Sequence, residues 1–334
     1  MSSRLKAVLK YLIILAVTIF LIWFSLRGLP VAEGKNKWDY LLNAWQSASK
    51  GWLVAMAILA MISHVVRAER WRILMVPAGY KTKLSYSFLS LMIGYLINLV
   101  VPRGGEVSRC YNLYKLDKVP IEISFGTVVV ERIVDLLCLV LIILAAFIVE
   151  HERLFNFINS LPLNSANQNS KFLLLAYLVL GMLTLCGGAY WVIKKSKKLN
   201  DFVKRTWIGF KEGLLSVFKL ENKVLFIFYS VFIWFLYFLM SYTILKAFPQ
   251  TEHLGFEAML SIFAIGTIAM AAPLPGGMGS YHVLVPKGLV FLYFVPEPDA
   301  IAFTFIFHGW QTIIVIVAGA ISLLISSLLI KGNS

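Results

Sequence analysis

Charged residues are rare in this sequence. They make up 14% of the 334 residues, whereas hydrophobic residues make up 59%. Soluble globular proteins carry about 25% charged residues, so the composition argues against an ordinary soluble domain and predicts an integral membrane protein. The charge that is present is unbalanced, since 31 Lys and Arg face only 17 Asp and Glu. In a membrane protein this excess is typical of cytoplasmic loops and of contacts with anionic lipids, and we expect no nucleic-acid partner.

Long polar stretches and cysteines are also rare. No polar stretch is long enough to form a separate extramembrane domain of ordinary size, which predicts one membrane domain over residues 1–334. The cysteines, Cys110, Cys138 and Cys186, are odd in number and widely spaced, so they indicate packing residues and not a disulfide framework. The sequence contains no metal-binding histidine spacing, phosphate-binding loop or nucleophile elbow, and we expect no cofactor.

Apolar runs of about 20 residues predict the helices that cross the membrane. Six runs are predicted to cross fully: residues 11–26, 51–66, 121–149, 172–192, 224–245 and 300–330. Two further runs, 84–101 and 257–272, each end at a Pro/Gly break that a second helical stretch follows. Such interruptions are typical of re-entrant or broken helices. The predicted fold class is therefore an all-α polytopic membrane protein with six full helices and two broken helical hairpins.

The distribution of basic residues predicts the orientation. They concentrate in the loops on one side of the predicted spans, among them Arg67, Arg70 and a dense cluster at residues 194–223, and the opposite loops carry far fewer. Because positive loops remain in the cytoplasm, we predict that both termini are cytoplasmic. Residues 199–220 place aromatic and aliphatic side chains at helical spacing beside lysines, which predicts an amphipathic helix on the cytoplasmic surface.

The two breaks are similar in sequence. Residues 100–108 read VVPRGGEVS and residues 272–280 read APLPGGMGS, so both place two glycines after a proline and a serine three residues later. Each break follows two predicted spans and precedes another. Each half then contains three full crossings. Because three is an odd number, the second half enters the membrane with the opposite orientation. We therefore predict an inverted repeat, about residues 7–149 and 172–331, as in many transporters that bind ligands at discontinuous helices.

Three charged residues, Glu131, Arg132 and Asp135, interrupt the apolar run 121–149. A charge at mid-bilayer costs roughly 2.5–3.5 kcal/mol, so these side chains are expected to face a cavity or a partner. Glu131 and Asp135 share a helix face, and Arg132 is within pairing reach of Asp135. Two interpretations follow. The three residues form a structural ion-pair knot, or Arg132 binds a phosphate while the carboxylates hold it in place.

The first break has the features of an anion site. Gly104 and Gly105 permit backbone N–H groups to converge, a helix N-terminus is expected to follow, and Arg103 adds positive charge. Glu106 suits the first turn of that helix, and Arg109 follows three residues later.

The second break is disrupted by its own glycines, Gly276 and Gly277, and His282 follows them. A histidine at this position is either part of a proton relay, since it titrates near neutral pH, or a hydrogen-bonded structural residue.

Four sequence blocks carry a family resemblance: RWRIL at 70–74, NLVVPRGGEVSR at 98–109, Glu131-Arg132 with Asp135, and PLPGGMG at 273–279. They resemble the lysylphosphatidylglycerol synthase transmembrane-region family over nearly the whole chain. In two-part members this region is a flippase for aminoacylated phosphatidylglycerol, and a separate soluble domain makes the lipid. The resemblance therefore implies lipid translocation without lipid synthesis. Many relatives carry an acidic residue where His282 stands, which puts a coupling or head-group role at that position in doubt.

The leading hypothesis is a flippase or transporter of the cell membrane (the cytoplasmic or inner membrane in a bacterium) that moves an anionic phospholipid or lipid-linked head group. The expected partners are anionic membrane lipids and a separate lipid-modifying enzyme. The candidate substrate-binding residues are Asn98, Arg103, Gly104, Gly105, Glu106, Arg109, Glu131, Arg132, Asp135, Gly276, Gly277 and His282. Two alternatives stay open: a membrane-embedded transferase with Glu106, Glu131 or Asp135 as base, and a non-catalytic membrane scaffold.

Overall fold

A computed structural model describes residues 37–160, 197–272 and 274–332, and this part of the chain is helical without strands. It contains ten α-helices: α1 (Lys37–Ser47), α2 (Lys50–Met75), α3 (Leu84–Asn98), α4 (Gly104–Asp117), α5 (Ile121–Ser160), α6 (Lys197–Leu215), α7 (Lys223–Ala247), α8 (Phe256–Ala271), α9 (Ser280–Tyr293) and α10 (Glu297–Gly332). The predicted spans 11–26 and 172–192, with Cys186 and Pro273, lie outside the described residues.

Four of these helices, α2, α5, α7 and α10, are long and apolar enough to cross a membrane. They contain the predicted runs 51–66, 121–149, 224–245 and 300–330, and each helix is longer than its run. The extension matters most in α2, because it includes Arg67 and Arg70. The prediction that these two arginines lie in a loop is wrong: their residues are only 6% and 0% exposed. Both guanidinium groups pair with carboxylates on α5, which permits their burial.

Helices α3 and α4 form one helical hairpin, and α8 and α9 form a second. In the first hairpin a Cβ atom on Gly105 would lie 2.0 Å from the carbonyl oxygen of Gly94, so the two arms touch backbone to backbone. In the second hairpin the Ser280 hydroxyl donates to the carbonyl of Ala269 at 2.7 Å. The two predicted breaks are thus confirmed as interruptions between paired helices.

The tips of the two hairpins meet. The Arg103 guanidinium donates to the carbonyl of Ala271 over a long 3.5 Å, and a Cβ atom on Gly276 would lie 2.9 Å from the Leu99 Cδ2 atom. Gly276 has a φ of 56°, in the left-handed region that glycine adopts without strain. The two breaks therefore form one continuous wall, although Gly104 and Gly276 are 172 residues apart in the sequence.

An apolar core holds the second hairpin against the long helices. Leu53, Ile244, Leu260, Val285 and Phe303 come from α2, α7, α8, α9 and α10 and are buried in one cluster. Burial of this many large side chains is the main force that fixes α8 and α9 between their neighbours. The position of the second break follows from this packing.

Helix α6 occupies the stretch for which an amphipathic helix was predicted, and the 3-10 turn Ser216–Lys219 follows it. It packs closely on the start of α5. A Cβ atom on Gly126 would lie 2.4 Å from the Phe210 carbonyl oxygen, and the Phe125 and Phe210 rings are 6.5 Å apart. Part of its apolar side therefore contacts protein.

Candidate functional site

A cavity of about 780 Å³ lies between the long helices and the tips of both hairpins. Its volume is in the range of small-molecule binding sites. Seven of the predicted site residues line it: Asn98, Arg103, Glu106, Arg132, Asp135, Gly276 and Gly277. The structure thus brings residues of both breaks and of α5 to one site.

Of the arginines in this wall that form an ion pair, Arg132 is the most exposed. Its guanidinium pairs with Glu106 at 2.6 Å, and the two side chains are 43% and 16% exposed. The second Glu106 oxygen, Oε2, is buried and has no hydrogen-bond partner within the described residues. Because a guanidinium has five N–H donors, Arg132 retains donors for a further anion.

Next to this ion pair lies a cluster that we name the charge knot: Arg67, Arg70, Arg109, Glu131 and Asp135. Arg67 and Asp135 line the cavity, whereas the other three are buried and do not line it. Glu131 is fully buried and accepts hydrogen bonds from Arg109 at 2.5 Å and from Arg70 at 3.4 Å. Asp135 accepts from Arg70 at 2.9 Å and also from Arg67. The charge knot joins α2, α4 and α5 through ionic contacts.

These pairings correct one prediction. The carboxylates of Glu131 and Asp135 were expected to hold Arg132, but they bind arginines of α2 and α4, and Arg132 pairs with Glu106. Helical geometry separates Glu131 from Arg132, because consecutive residues are about 100° apart around the axis. Asp135 is three residues from Arg132 and on its side of the helix, but Arg67 and Arg70 bind it instead. Glu131 and Asp135 therefore belong to the charge knot, and Arg132 lies outside it.

Aromatic and hydroxyl groups complete the surroundings of the charge knot. The Arg109 guanidinium lies over the Trp71 ring at 4.6 Å, and the Trp71 indole donates to the Thr127 hydroxyl at 3.0 Å. Arg67 also donates to the Tyr237 hydroxyl at 2.8 Å. Such contacts supply part of the solvation that a buried guanidinium loses.

The glycines of the first break serve packing instead of anion binding. The Gly105 N–H donates to the Asn98 side-chain oxygen at 2.8 Å, and the Gly104 N–H donates to the Val101 carbonyl at 2.9 Å. Both N–H groups are therefore occupied within the chain, contrary to the prediction that they converge on an anion. Helix α4 does begin at Gly104, with Glu106 in its first turn as predicted. The positive charge of the wall comes from side chains.

His282 lies beside the cavity and is buried. The Gly279 N–H donates to its Nδ1 atom at 3.4 Å, and its ring centroid is 4.4 Å from that of Phe305. The neighbouring His308 lines the cavity, and its Nε2 atom donates to the Gly276 carbonyl at 2.9 Å. Both histidines thus contact the second break, His308 at Gly276 and His282 at Gly279.

Several lining residues were missed by sequence reasoning. They are His64, Arg67, Tyr95, Trp234, Tyr237, His308 and Gln311. Arg67 carried a usable signal, because Arg67 and Arg70 are three residues apart and an apolar stretch continues the helical pattern beyond them. The others are uncharged or singly placed in apolar helices and carry no comparable pattern.

The site as a whole carries excess positive charge. Its arginines are Arg67, Arg70, Arg103, Arg109 and Arg132, and its carboxylates are Glu106, Glu131 and Asp135. The five cations exceed the three anions by two. A positive potential from this excess favours an anionic ligand in the cavity.

Comparison with known sequences is consistent with this architecture. The family model of the lysylphosphatidylglycerol synthase TM region matches residues 8–319. The chain belongs to this family. Family membership and the four long apolar helices together establish a multi-pass membrane protein.

Two curated relatives of this family member match it over short regions. It is 28% identical to a UPF0104 membrane protein of Methanocaldococcus jannaschii over 137 residues, which is 40% of this chain and 36% of that protein. It is also 28% identical to the glycosyltransferase AglD of Haloferax volcanii over 98 residues, which is 29% of this chain and 16% of that protein. The matches therefore span about a third and about a sixth of these relatives. No solved structure matches.

Proposed function

We propose that this family member is a lipid transporter of the flippase type, which moves an anionic phospholipid or lipid-linked head group between the leaflets of the cell membrane. The observation that carries the proposal is Arg132, a half-exposed guanidinium at a cavity between two interrupted helical hairpins. A charge in this position needs a partner, and Glu106 supplies only one carboxylate. A lipid phosphate is a suitable second partner because the guanidinium fork matches two oxygens.

The rest of the cavity wall supports a lipid over a small water-soluble anion. Its apolar part includes Leu136 and Leu139 of α5 and Ile314 and Val315 of α10. A ligand that contacts both this apolar part and Arg132 must itself be amphipathic. The head group then lies at the hairpin tips and the acyl chains remain against apolar surface.

The proposed membrane topology has six full helices, two re-entrant hairpins and both termini in the cytoplasm, with α6 on the cytoplasmic side. It adds the predicted spans 11–26 and 172–192 to the four long helices described. The meeting of the hairpin tips supports an inverted repeat, since such repeats bring their discontinuous helices together near the midplane. A head group at the tips would then be accessible from either leaflet in turn.

Leaflet transfer of native lipids in proteoliposomes, followed by mass spectrometry, tests the proposal. Arg132→Leu is expected to abolish transfer of the anionic lipid. Arg72→Leu is the matched control, because Arg72 pairs with Glu69 at the same 2.6 Å with side chains 36% and 18% exposed, outside the cavity wall. Arg72→Leu is expected to transfer normally. Normal transfer by a folded Arg132→Leu protein would show that the proposed role of Arg132 is wrong.

A membrane-embedded transferase is the second candidate, and one observation favours it. The Glu106 Oε2 atom is buried without a hydrogen-bond partner among the described residues, as a base that awaits a substrate proton would be. Glu131 and Asp135 are each bound by two arginines and are poor bases. The relative AglD is named a glycosyltransferase. This candidate predicts a covalently altered lipid in the same mass spectra, lost in Glu106→Gln, whereas a scaffold predicts neither transfer nor chemistry.

A further inference from the structure

We infer that the head group this cavity accepts ends in neutral hydroxyl-bearing chemistry, as in glycerol, inositol or a sugar, and not in a cationic aminoacyl group. The inference rests on the proposed function and names the substrate class of the same site. Its basis is a second group of lining residues, which we name the hydroxyl subsite: His64, Arg67, Tyr95, Trp234 and Tyr237.

The members of the hydroxyl subsite are in mutual contact. The His64 and Tyr95 ring centroids are 5.0 Å apart, and those of Trp234 and Tyr237 are 6.1 Å apart. Arg67 connects the two pairs, since it lies one helical turn after His64 and donates to the Tyr237 hydroxyl at 2.8 Å. The subsite thus joins α2, α3 and α7 along one part of the cavity wall.

Three of these side chains hold buried polar atoms with no hydrogen-bond partner among the residues described: His64 Nδ1, Arg67 Nε and Trp234 Nε1. Buried polar atoms in folded proteins are rarely left unpaired, so several in one cavity wall indicate a ligand. The Nε atoms of Arg70 and Arg109 in the charge knot also have no partner among the described residues, so the unpartnered atoms specific to this wall are His64 Nδ1 and Trp234 Nε1.

The chemistry of these atoms fits hydroxyl groups. Trp234 Nε1 and Arg67 Nε are donors only, whereas the histidine nitrogen donates or accepts according to its tautomer. A hydroxyl group both donates and accepts, so a polyhydroxylated head group satisfies this mixed set. The flat faces of Tyr95 and Trp234 also offer apolar surface to the C–H groups of such a head group.

The same wall disfavours a cationic head group. Arg67 lies at the centre of the hydroxyl subsite and would repel an ammonium group. Of the described residues that line the cavity, the acids are Glu106 and Asp135, and both are already paired with arginines. A lysyl or other aminoacyl group would therefore have to compete with an arginine for either carboxylate.

The test uses three probes with identical dioleoyl chains: phosphatidylinositol, phosphatidic acid and lysylphosphatidylglycerol. Binding to the purified full-length chain is measured by native mass spectrometry, and transfer is measured in proteoliposomes. Wild-type protein is expected to bind phosphatidylinositol at least about tenfold more tightly than phosphatidic acid, because one hydrogen bond is worth about a factor of ten. Lysylphosphatidylglycerol is expected to bind the least.

Trp234→Phe removes the indole donor and keeps an aromatic ring. It is expected to weaken phosphatidylinositol binding about tenfold and to leave phosphatidic acid binding within about twofold. Trp52→Phe is the matched control, since Trp52 packs edge-on against Tyr242 and does not line the cavity. It is expected to change neither affinity.

The two assays separate the outcomes. Wild-type binding without preference for phosphatidylinositol, or with preference for lysylphosphatidylglycerol, would overturn the inference even where transfer is observed. An equal loss for all three lipids in Trp234→Phe would also overturn it, because it would show a packing effect. Selective phosphatidylinositol binding without transfer of any lipid would uphold the head-group class and refute the flippase.

Discussion

Replacing Glu131 by glutamine removes one negative charge from the charge knot and keeps the size of the side chain. In the native protein Glu131 is fully buried and accepts from Arg109 at 2.5 Å and Arg70 at 3.4 Å. After the substitution Asp135 is the one carboxylate left in the charge knot to compensate its three buried arginines. Removal of one partner from a buried ion pair costs about 3–5 kcal/mol, since a charge is left without compensation away from water.

The matched control is Glu69→Gln, the same chemical change in a surface pair. Glu69 and Arg72 are three residues apart in α2, and their side chains are 18% and 36% exposed. Pairs of this kind contribute at most about 1 kcal/mol. The difference in the free energy of unfolding between the two variants is therefore expected to exceed about 2 kcal/mol. Titration of micellar protein with sodium dodecyl sulfate, followed by circular dichroism, measures that difference.

Equal losses in the two variants would refute the reasoning, because they would mean that the buried carboxylate is not compensating the arginines. A double-mutant cycle gives a second criterion. Removing the freed cation as well, in Glu131→Gln with Arg109→Gln, is expected to recover part of the stability lost by Glu131→Gln alone. A double variant that loses the full sum of both single effects would exclude direct coupling between the two side chains.

Two further predictions concern close backbone contacts. Gly105→Ala is expected to separate the arms of the first hairpin at a cost of about 1–3 kcal/mol, since its Cβ atom would lie 2.0 Å from the Gly94 carbonyl oxygen. The control is Gly51→Ala, because a Cβ atom on Gly51 has no heavy atom within 4 Å. Equal melting temperatures of the two variants would contradict the contact. Gly126→Ala is expected to loosen α6 from α5, because its Cβ atom would lie 2.4 Å from the Phe210 carbonyl oxygen. Faster hydrogen exchange in α6 would reveal the loosening, and unchanged exchange would contradict it.

Local sequence patterns were sufficient to predict the helices that surround the site. The apolar run 84–101 anticipated α3 (Leu84–Asn98), and the glycines after Pro102 marked the start of α4. These features depend on hydrophobicity and backbone conformation, which neighbouring residues determine. The same reasoning predicted that Glu131 and Asp135 share a face and need partners.

The partners themselves were beyond local reasoning. Arg70 reaches Glu131 and Asp135 across 61 and 65 residues of sequence, and no periodic pattern relates such distant positions. An arginine after an apolar run is ordinarily a loop residue that remains in the cytoplasm, which is why Arg67 and Arg70 were placed there. The better rule for this chain is that two carboxylates inside a membrane helix require cations, and that paired arginines three residues apart on a continuing helix can supply them.

The charged side chains around the cavity form two layers, which are the charge knot and the group of Arg103, Glu106 and Arg132. The charge knot contains three arginines and two carboxylates, and the other charged side chains that line the cavity among the described residues are Arg103, Arg132 and Glu106. Each layer is thus short of one negative charge. The deeper deficit is screened little by water, so its potential extends into the cavity. A lipid phosphodiester supplies one negative charge at the layer it can reach. Arg132→Leu makes that layer neutral and removes the exposed guanidinium, so it is expected to abolish transfer of the anionic lipid while the charge knot keeps the helices in place.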